Sequence, residues 1–218
     1  VVGQIGLSGL LDTSTAVTDA TGTLRSATGI GGTFYLGTSA AVRYVGTPSA
    51  SSTSTIIDTR NSRQVLAFDS TLYASNGSTA VTGKLQTYGP PLPTTTTSAA
   101  PMITLTTADA INGFFLADLS ESIAGLDTAY ALSTVTSTLI KYSFNGTLWS
   151  SSGSIPAGGA SNVSGFITGS TVQLFTTSSS TYSTFTDTSG FGATITAGSL
   201  TTLATAGTHL RGNDEHAL

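Results

Sequence analysis

Along this chain of 218 residues, apolar side chains recur mainly at every second position. β-branched and aromatic residues fill the runs, and Gly, Asn, Asp and Ser interrupt them at intervals of about 8 to 12 residues. A period of two is that of a strand whose side chains alternate between faces, and helical spacing is nearly absent, so the pattern predicts an all-β chain.

The runs also repeat. An aromatic-bearing run ending in small hydroxyl residues occurs at 33–39 (TFYLGTS), 71–78 (TLYASNGS), 128–134 (TAYALST) and 172–178 (VQLFTTS). A small, apolar run precedes each one, at 24–31, 64–69, 112–118 and 162–169. A second aromatic run follows, at 41–45, 83–88, 138–144 and 181–187, and then a weaker outer run at 52–58, 101–107, 147–155 and 199–205. Tyr44, Tyr88, Tyr142 and Phe185 mark a spacing of 44, 54 and 43 residues, the period of a four-stranded propeller blade. The longer middle interval holds GPPLPTTTTSAAP (89–101), whose prolines do not suit a ladder strand and which reads as a surface insertion.

The expected fold is therefore a β-propeller of four-stranded antiparallel blades, with four complete blades and partial terminal strands. Residues 1–19 read as the last two strands of a preceding blade and THLRG (208–212) as the first strand of a following one. The chain is expected to be a single domain over 1–218, either a five-bladed ring closed by its own termini or a fragment of a larger ring.

The stretches IGLSGLLDTSTAVTD, GLDTAYALSTVTSTLIKYSFNGTLW and ATITAGSLTTLATAGTHLRG resemble segments of secreted, Ser/Thr/Gly-rich, bacterial-type β-propeller proteins. The resemblance spans nearly the whole chain, rests on structural motifs, and implies a propeller fold and an extracellular setting. It brings no catalytic residues. Members are generally longer, which favours the fragment reading, and NDEHAL (213–218) departs from the apolar run expected there.

Composition narrows the function classes. The chain has 42 Thr and 31 Ser, only 8 % charged residues, seven basic residues that are nowhere contiguous, and a net charge of −4. Nucleic acid is thereby an unfavoured partner, because its affinity rests on clustered cations. No apolar run reaches the roughly 18–20 residues of a membrane span, and the absence of Cys removes thiolate chemistry. The hydroxyl-rich, Lys-poor make-up and sequons at Asn76, Asn145 and Asn162 point to a secreted or cell-surface protein.

The candidates for chemistry are few. Asp118, Glu121 and Asp127 form the densest acidic group in the body of the chain, a weak candidate for a metal site or an acid/base pair. The competing reading is a hairpin connection in which acids and serines cap amides and Gly125 takes a positive φ; on that reading all three acids can be neutralised at a cost within about 1 kcal/mol. His209 and His216 have no serine in a G-x-S-x-G elbow to serve, and GIGGTF (29–34) leads into a strand, so it is not a dinucleotide loop. Tyr142, Phe144 and Trp149 are candidates for stacking on a sugar ring, against the alternative of packing between sheets. The expectation is a non-catalytic extracellular structural or interaction module with a protein or glycan partner and no cofactor. A lectin-like glycan binder is the alternative, and a hydrolase or lyase comes third.

Overall fold

The computed structural model describes residues 1–5, 8–105, 109–195 and 199–206, and among these every regular element is a strand. β1 (Val2–Ile5) and β2 (Leu11–Thr15) pair antiparallel with each other. Four four-stranded sheets follow. The first is β3 (Leu24–Ile30), β4 (Thr33–Thr38), β5 (Val42–Val45) and β6 (Ser54–Asp58). The second is β7 (Ser62–Phe68), β8 (Thr71–Asn76), β9 (Gly83–Tyr88) and β10 (Ala100–Thr104). The third is β11 (Ile111–Ala117), β12 (Thr128–Ser133), β13 (Thr138–Phe144) and β14 (Trp149–Pro156). The fourth is β15 (Asn162–Thr168), β16 (Thr171–Thr177), β17 (Thr181–Asp187) and β18 (Thr201–Thr205).

In every sheet the order in space is the order in sequence, so each is a meander of propeller-blade type. The fold is all-β with four complete blades and a two-stranded partial one. The leading pair comes from the segment 1–19, as the pattern predicts; the stretch 208–212 lies outside the described residues. The chain divides into two compact units, 1–111 and 112–218.

The same core logic operates in each unit. In the first, Tyr35, Val42 and Ile57 of one blade pack with Val65, Leu72, Ala74 and Tyr88 of the next, all buried. In the second, Tyr130, Leu132, Leu139 and Ile155 pack with Val163, Val172 and Leu174. A blade covered on both faces needs apolar or small residues at consecutive positions, not only alternate ones. All six residues of β12 are accordingly buried. Val2 of β1 packs on Phe34, Leu36 and Val45, covering the outer side of the first blade.

Close approach sets local sequence as well. On Gly113 of β11, an added Cβ would stand 2.9 Å from Cα of Asn162 and from N of Val163, backbone atoms of the neighbouring innermost strand. Only a residue without a side chain lets those two strands converge there.

Three blades turn from their first to their second strand through two residues: Gly31-Gly32, Asp69-Ser70 and Gly169-Ser170. Gly31 and Gly32 both take positive φ, as a type I′ hairpin turn requires. The third blade replaces this turn with the acidic segment 118–127.

The segment read as a surface insertion is tied into its unit. Pro93 is buried and its carbonyl accepts the Tyr35 hydroxyl at 3.0 Å, while Leu92 and Ala99 pack against the shared core. Thr97 N–H donates to the Ile57 carbonyl at 3.0 Å and the Thr96 hydroxyl to that of Ile56 at 2.8 Å. The stretch thus straps the second blade to the outer strand of the first, and its last two residues, Ala100 and Pro101, already belong to β10. Lys84 on β9 and Lys141 on β13 are both fully buried.

Candidate functional site

The three acids of segment 118–127 do not act alike. Asp118 and Glu121 are exposed, whereas Asp127 is fully buried. Its Oδ1 accepts Leu119 N–H at 3.0 Å and the Thr128 hydroxyl at 2.8 Å, and its Oδ2 accepts Ser120 N–H at 2.7 Å. The carboxylate satisfies amides that leave the β11 edge, as in an Asx-type turn, and Gly125 takes φ +81° on the way back. A cleft of about 630 Å³ lies beside this loop, bounded by Asp118, Glu121 and Gly125 and by the Gly169-Ser170 turn of the next blade.

The three acids should therefore differ in their response to substitution. Asp118→Asn and Glu121→Gln should leave stability within about 0.5 kcal/mol. Asp127→Ala strands buried amide donors and should cost about 1–3 kcal/mol, read as a lowered midpoint in urea unfolding.

The charged groups that the sequence does not single out are the ones the fold organises most tightly. Lys141 Nζ lies 2.9 Å from Asp187 Oδ2 with both side chains essentially solvent-free. It also donates to Ser189 Oγ at 2.7 Å and to the Gly190 carbonyl at 2.6 Å. The Tyr130 hydroxyl donates to the same Asp187 Oδ2 at 2.7 Å, and Ser189 supplies N–H and O–H to Oδ1 at 2.8 and 2.5 Å. Lys141 and Tyr130 stand on one blade and Asp187 on the next, so this network is an ionic clasp between them.

Electrostatics follow from that geometry. Burial pushes the Tyr130 phenol far up, and its hydrogen bond to Asp187 and the Asp187 charge add to it. For Asp187, burial alone would raise the pKa, but donation from Ser189, Lys141 and Tyr130 outweighs it and holds the carboxyl below its usual range. The first unit has a counterpart: the Tyr88 hydroxyl donates to Asp58 Oδ2 at 2.9 Å across two blades, and Arg60 Nε meets the same oxygen at 2.5 Å. Burial, then the Asp58 charge and hydrogen bond, drive the Tyr88 phenol up. The only signal in the sequence was a lysine inside an otherwise apolar strand, TLIKYSF, since a buried cation demands a partner.

The three aromatic stacking candidates separate. Tyr142 is buried and presents no open face. Phe144 and Trp149 are half-buried and stack on each other across the β13–β14 hairpin, with centroids 5.3 Å apart and planes at 29°. Between them lies the turn bearing Asn145, which is exposed, as is Asn162. Asn76 differs, being only 3 % exposed, with its Oδ1 accepting Ser78 N–H at 2.8 Å. A further aromatic row, unmarked by the sequence pattern, crosses the fourth blade. Phe175 stacks on Tyr182 at 5.8 Å and 7° and packs against Phe166 at 6.0 Å, while Phe166 and Tyr182 are 54 % and 40 % exposed.

No protein-family model matches the chain, and no curated protein matches it either. Among solved structures, its fold is similar to that of hydrazine synthase from Kuenenia stuttgartiensis, with a TM-score of 0.50 at 14 % identity over 82 % of this chain and 49 % of that one. Weaker similarities run to apo AztD from Citrobacter koseri (TM-score 0.45, 11 % identity, 85 % of this chain and 52 % of that one) and to a protein from Lactobacillus plantarum (0.43, 9 %, 94 % and 77 %). The chain spans about half the length of the first two. These are distant β-propeller-like proteins, and at such identity the first supports the fold alone. Among the described residues no helix is long and apolar enough to cross a membrane.

Proposed function

We propose that this chain is a non-catalytic interaction module of the secreted, Ser/Thr/Gly-rich propeller type, working outside the cell as one ring over 1–218 or as part of a larger one. The observation that carries the interaction reading is the aromatic row Phe166, Phe175 and Tyr182, which leaves two large apolar rings open on one blade. Exposed aromatics of this kind supply rigid contact area at low entropic cost. The internal charges, by contrast, hold blades together: Lys141 pairs with Asp187, and Asp58 accepts the Tyr88 hydroxyl of the next blade. The hydroxyl-rich composition and the exposed sequon residues Asn145 and Asn162 support the extracellular setting.

The test is retention of partners from culture medium and cell-surface extract on immobilised protein, with Phe166→Ser/Tyr182→Ser as the comparison. A protein retained by the wild-type chain should be lost by the double variant while the melting temperature stays within about 4 °C. Retention that ignores the substitution overturns the reading.

The stacked Phe144–Trp149 pair favours a second reading, glycan binding at the β13–β14 hairpin. On that reading a glycan array gives saturable binding that Phe144→Ala/Trp149→Ala weakens by about 1–3 kcal/mol, the scale of aromatic stacking contacts. An array without signal removes it.

A further inference from the structure

Four of the seven basic residues, Arg25, Arg60, Arg63 and Lys84, are scattered in sequence yet meet around one group of loops in the first unit. Arg25 Nη1 donates to Asn61 Oδ1 and, at 3.5 Å, to the Ser62 carbonyl. Lys84 Nζ donates to the Ser78 carbonyl at 2.7 Å. Arg63 lies so close over Gly77 that a Cβ there has no room, and its Nε is buried with no partner among the described residues. Arg60 Nε is held by Asp58. Against these four cations stand Asp58 and Asp109, the latter near enough to Lys84 to counter part of the downward push of burial on its ammonium. The loops are therefore net positive in a protein whose overall charge is −4.

Beside these loops lies an open polar cleft of about 510 Å³, lined by Ser39, Asp58, Arg60, Asn61, Asn76 and Ser78, so that of the four cations only Arg60 stands in its wall. Its volume falls in the range of small-molecule sites, roughly 300–1,000 Å³. The nitrogen groups left over at its wall are donors, and Asp58 Oδ1 is the acceptor beside them. The two Nη groups of Arg60 have no partner among the described residues, because Asp58 takes only Nε. In Asn76 the Oδ1 is fixed by accepting Ser78 N–H, which leaves Nδ2 of this 3 % exposed side chain without a partner among the described residues. Asn61 is half-buried, and its Nδ2 is likewise left over because Arg25 takes its Oδ1. Neither Nδ2 is among the fully buried side-chain atoms left without a partner, so both are open to exchange water for a ligand acceptor. Such a group at a cleft wall is one a ligand can satisfy.

We propose that this cleft binds an acidic sugar of the uronate class. A carboxylate is acceptor-only and planar, so it fits the paired Nη edge of Arg60 and takes the Nδ2 protons of Asn61 and Asn76 on its remaining lone pairs. Ring hydroxyls meet the hydroxyls of Ser39 and Ser78, which already accept Thr23 N–H and Ala80 N–H and so donate outward. Asp58 Oδ1, which has no partner among the described residues, accepts from a further hydroxyl. Asp58 has a second role as the positioning residue that aims the Arg60 fork. The site lies within residues 39–78 of the first unit and does not depend on the aromatic row of the fourth blade or on the Phe144–Trp149 pair.

Titration of the purified chain with D-glucuronate, its methyl ester, D-glucose and acetate tests the assignment. Glucuronate should bind at least about tenfold more tightly than each of the other three. Arg60→Gln and Asn76→Asp, the second keeping the acceptor for Ser78 N–H, should each weaken it by about tenfold or more. Equal affinity for glucuronate and glucose, or for glucuronate and acetate, overturns the proposal, as does the absence of glucuronate binding. Side-chain ¹⁵N–¹H signals of Arg60, Asn61 and Asn76 in the wild-type chain give an arm that needs no variant. They should shift on adding glucuronate, and stationary signals during saturable binding overturn the proposal.

Discussion

Lys141→Ala should lower the unfolding free energy by about 3–5 kcal/mol, the cost of leaving a buried charge without its partner. The substitution strips Asp187 of its cation at 2.9 Å in a site closed to solvent, and Ser189 and Tyr130 remain as neutral donors only. Urea unfolding should show the loss as a lower midpoint with an unchanged slope, since the surface exposed on unfolding is the same. Replacing both charges, Lys141→Met with Asp187→Asn, which keeps an acceptor for Tyr130 and Ser189, should recover part of it; a double variant no more stable than the single one would count against the clasp.

The clasp also sets a pH window. Asp187 is held below its ordinary value of 3.8 in the folded state, so its contribution is in full force above that value and is lost as pH falls through the folded pKa. Tyr130 and Tyr88 have folded pKa values raised above their ordinary 10.0. Their contribution is complete below pH 10 and is lost as pH rises through the folded values. The contribution of these three groups should therefore be flat between these limits, and Lys141→Ala should move the acid edge upward, because the uncompensated Asp187 protonates sooner. An acid edge that stays in place would separate Asp187 from acid unfolding.

Leu174→Ala should cost about 2–5 kcal/mol, the range for truncating a fully buried leucine in a core that relaxes only in part. Leu174 sits mid-strand on β16 with its side chain in the cluster formed by Tyr130, Leu132, Leu139 and Val163. Leu203 on β18 is the control. It is 52 % exposed, so Leu203→Ala should stay within about 0.5 kcal/mol. Comparable losses at the two positions would mean that the fourth blade does not pack as described.

The blade repeat was readable because burial on both faces leaves a local imprint. TAYALST and TLIKYSF come out as β12 and β13, and the outer runs as β6, β10, β14 and β18, all within three residues of the pattern's limits. The leading pair β1–β2 was readable for the same reason. What escaped is what depends on pairing across blades. Asp187 closes on Tyr130 57 positions away, and nothing local distinguishes that carboxylate from the exposed Asp118. Asp127 looked like its neighbours because an acid that caps inward and one that faces water share a composition. The segment 89–101 read as a surface insertion and is exposed over 89–91 and 94–98; what escaped is its anchoring through Leu92 and Pro93, since prolines exclude a ladder strand without preventing packing. The cations of the first unit looked dispersed because Arg25 and Asn61 meet only when two blades stack.

Lys84 and Lys141, the two lysines of the chain, are both fully buried, and this changes what the outside of the molecule can undergo. An acylating reagent, a reducing sugar or an amine-directed crosslinker finds no lysine amine on the folded surface. Trypsin is left with arginines, of which Arg43 is buried as well. Each lysine becomes modifiable only when its blade opens, so the rate of acylation at Lys84 against that at Lys141 is a site-resolved clock for the opening of the two units.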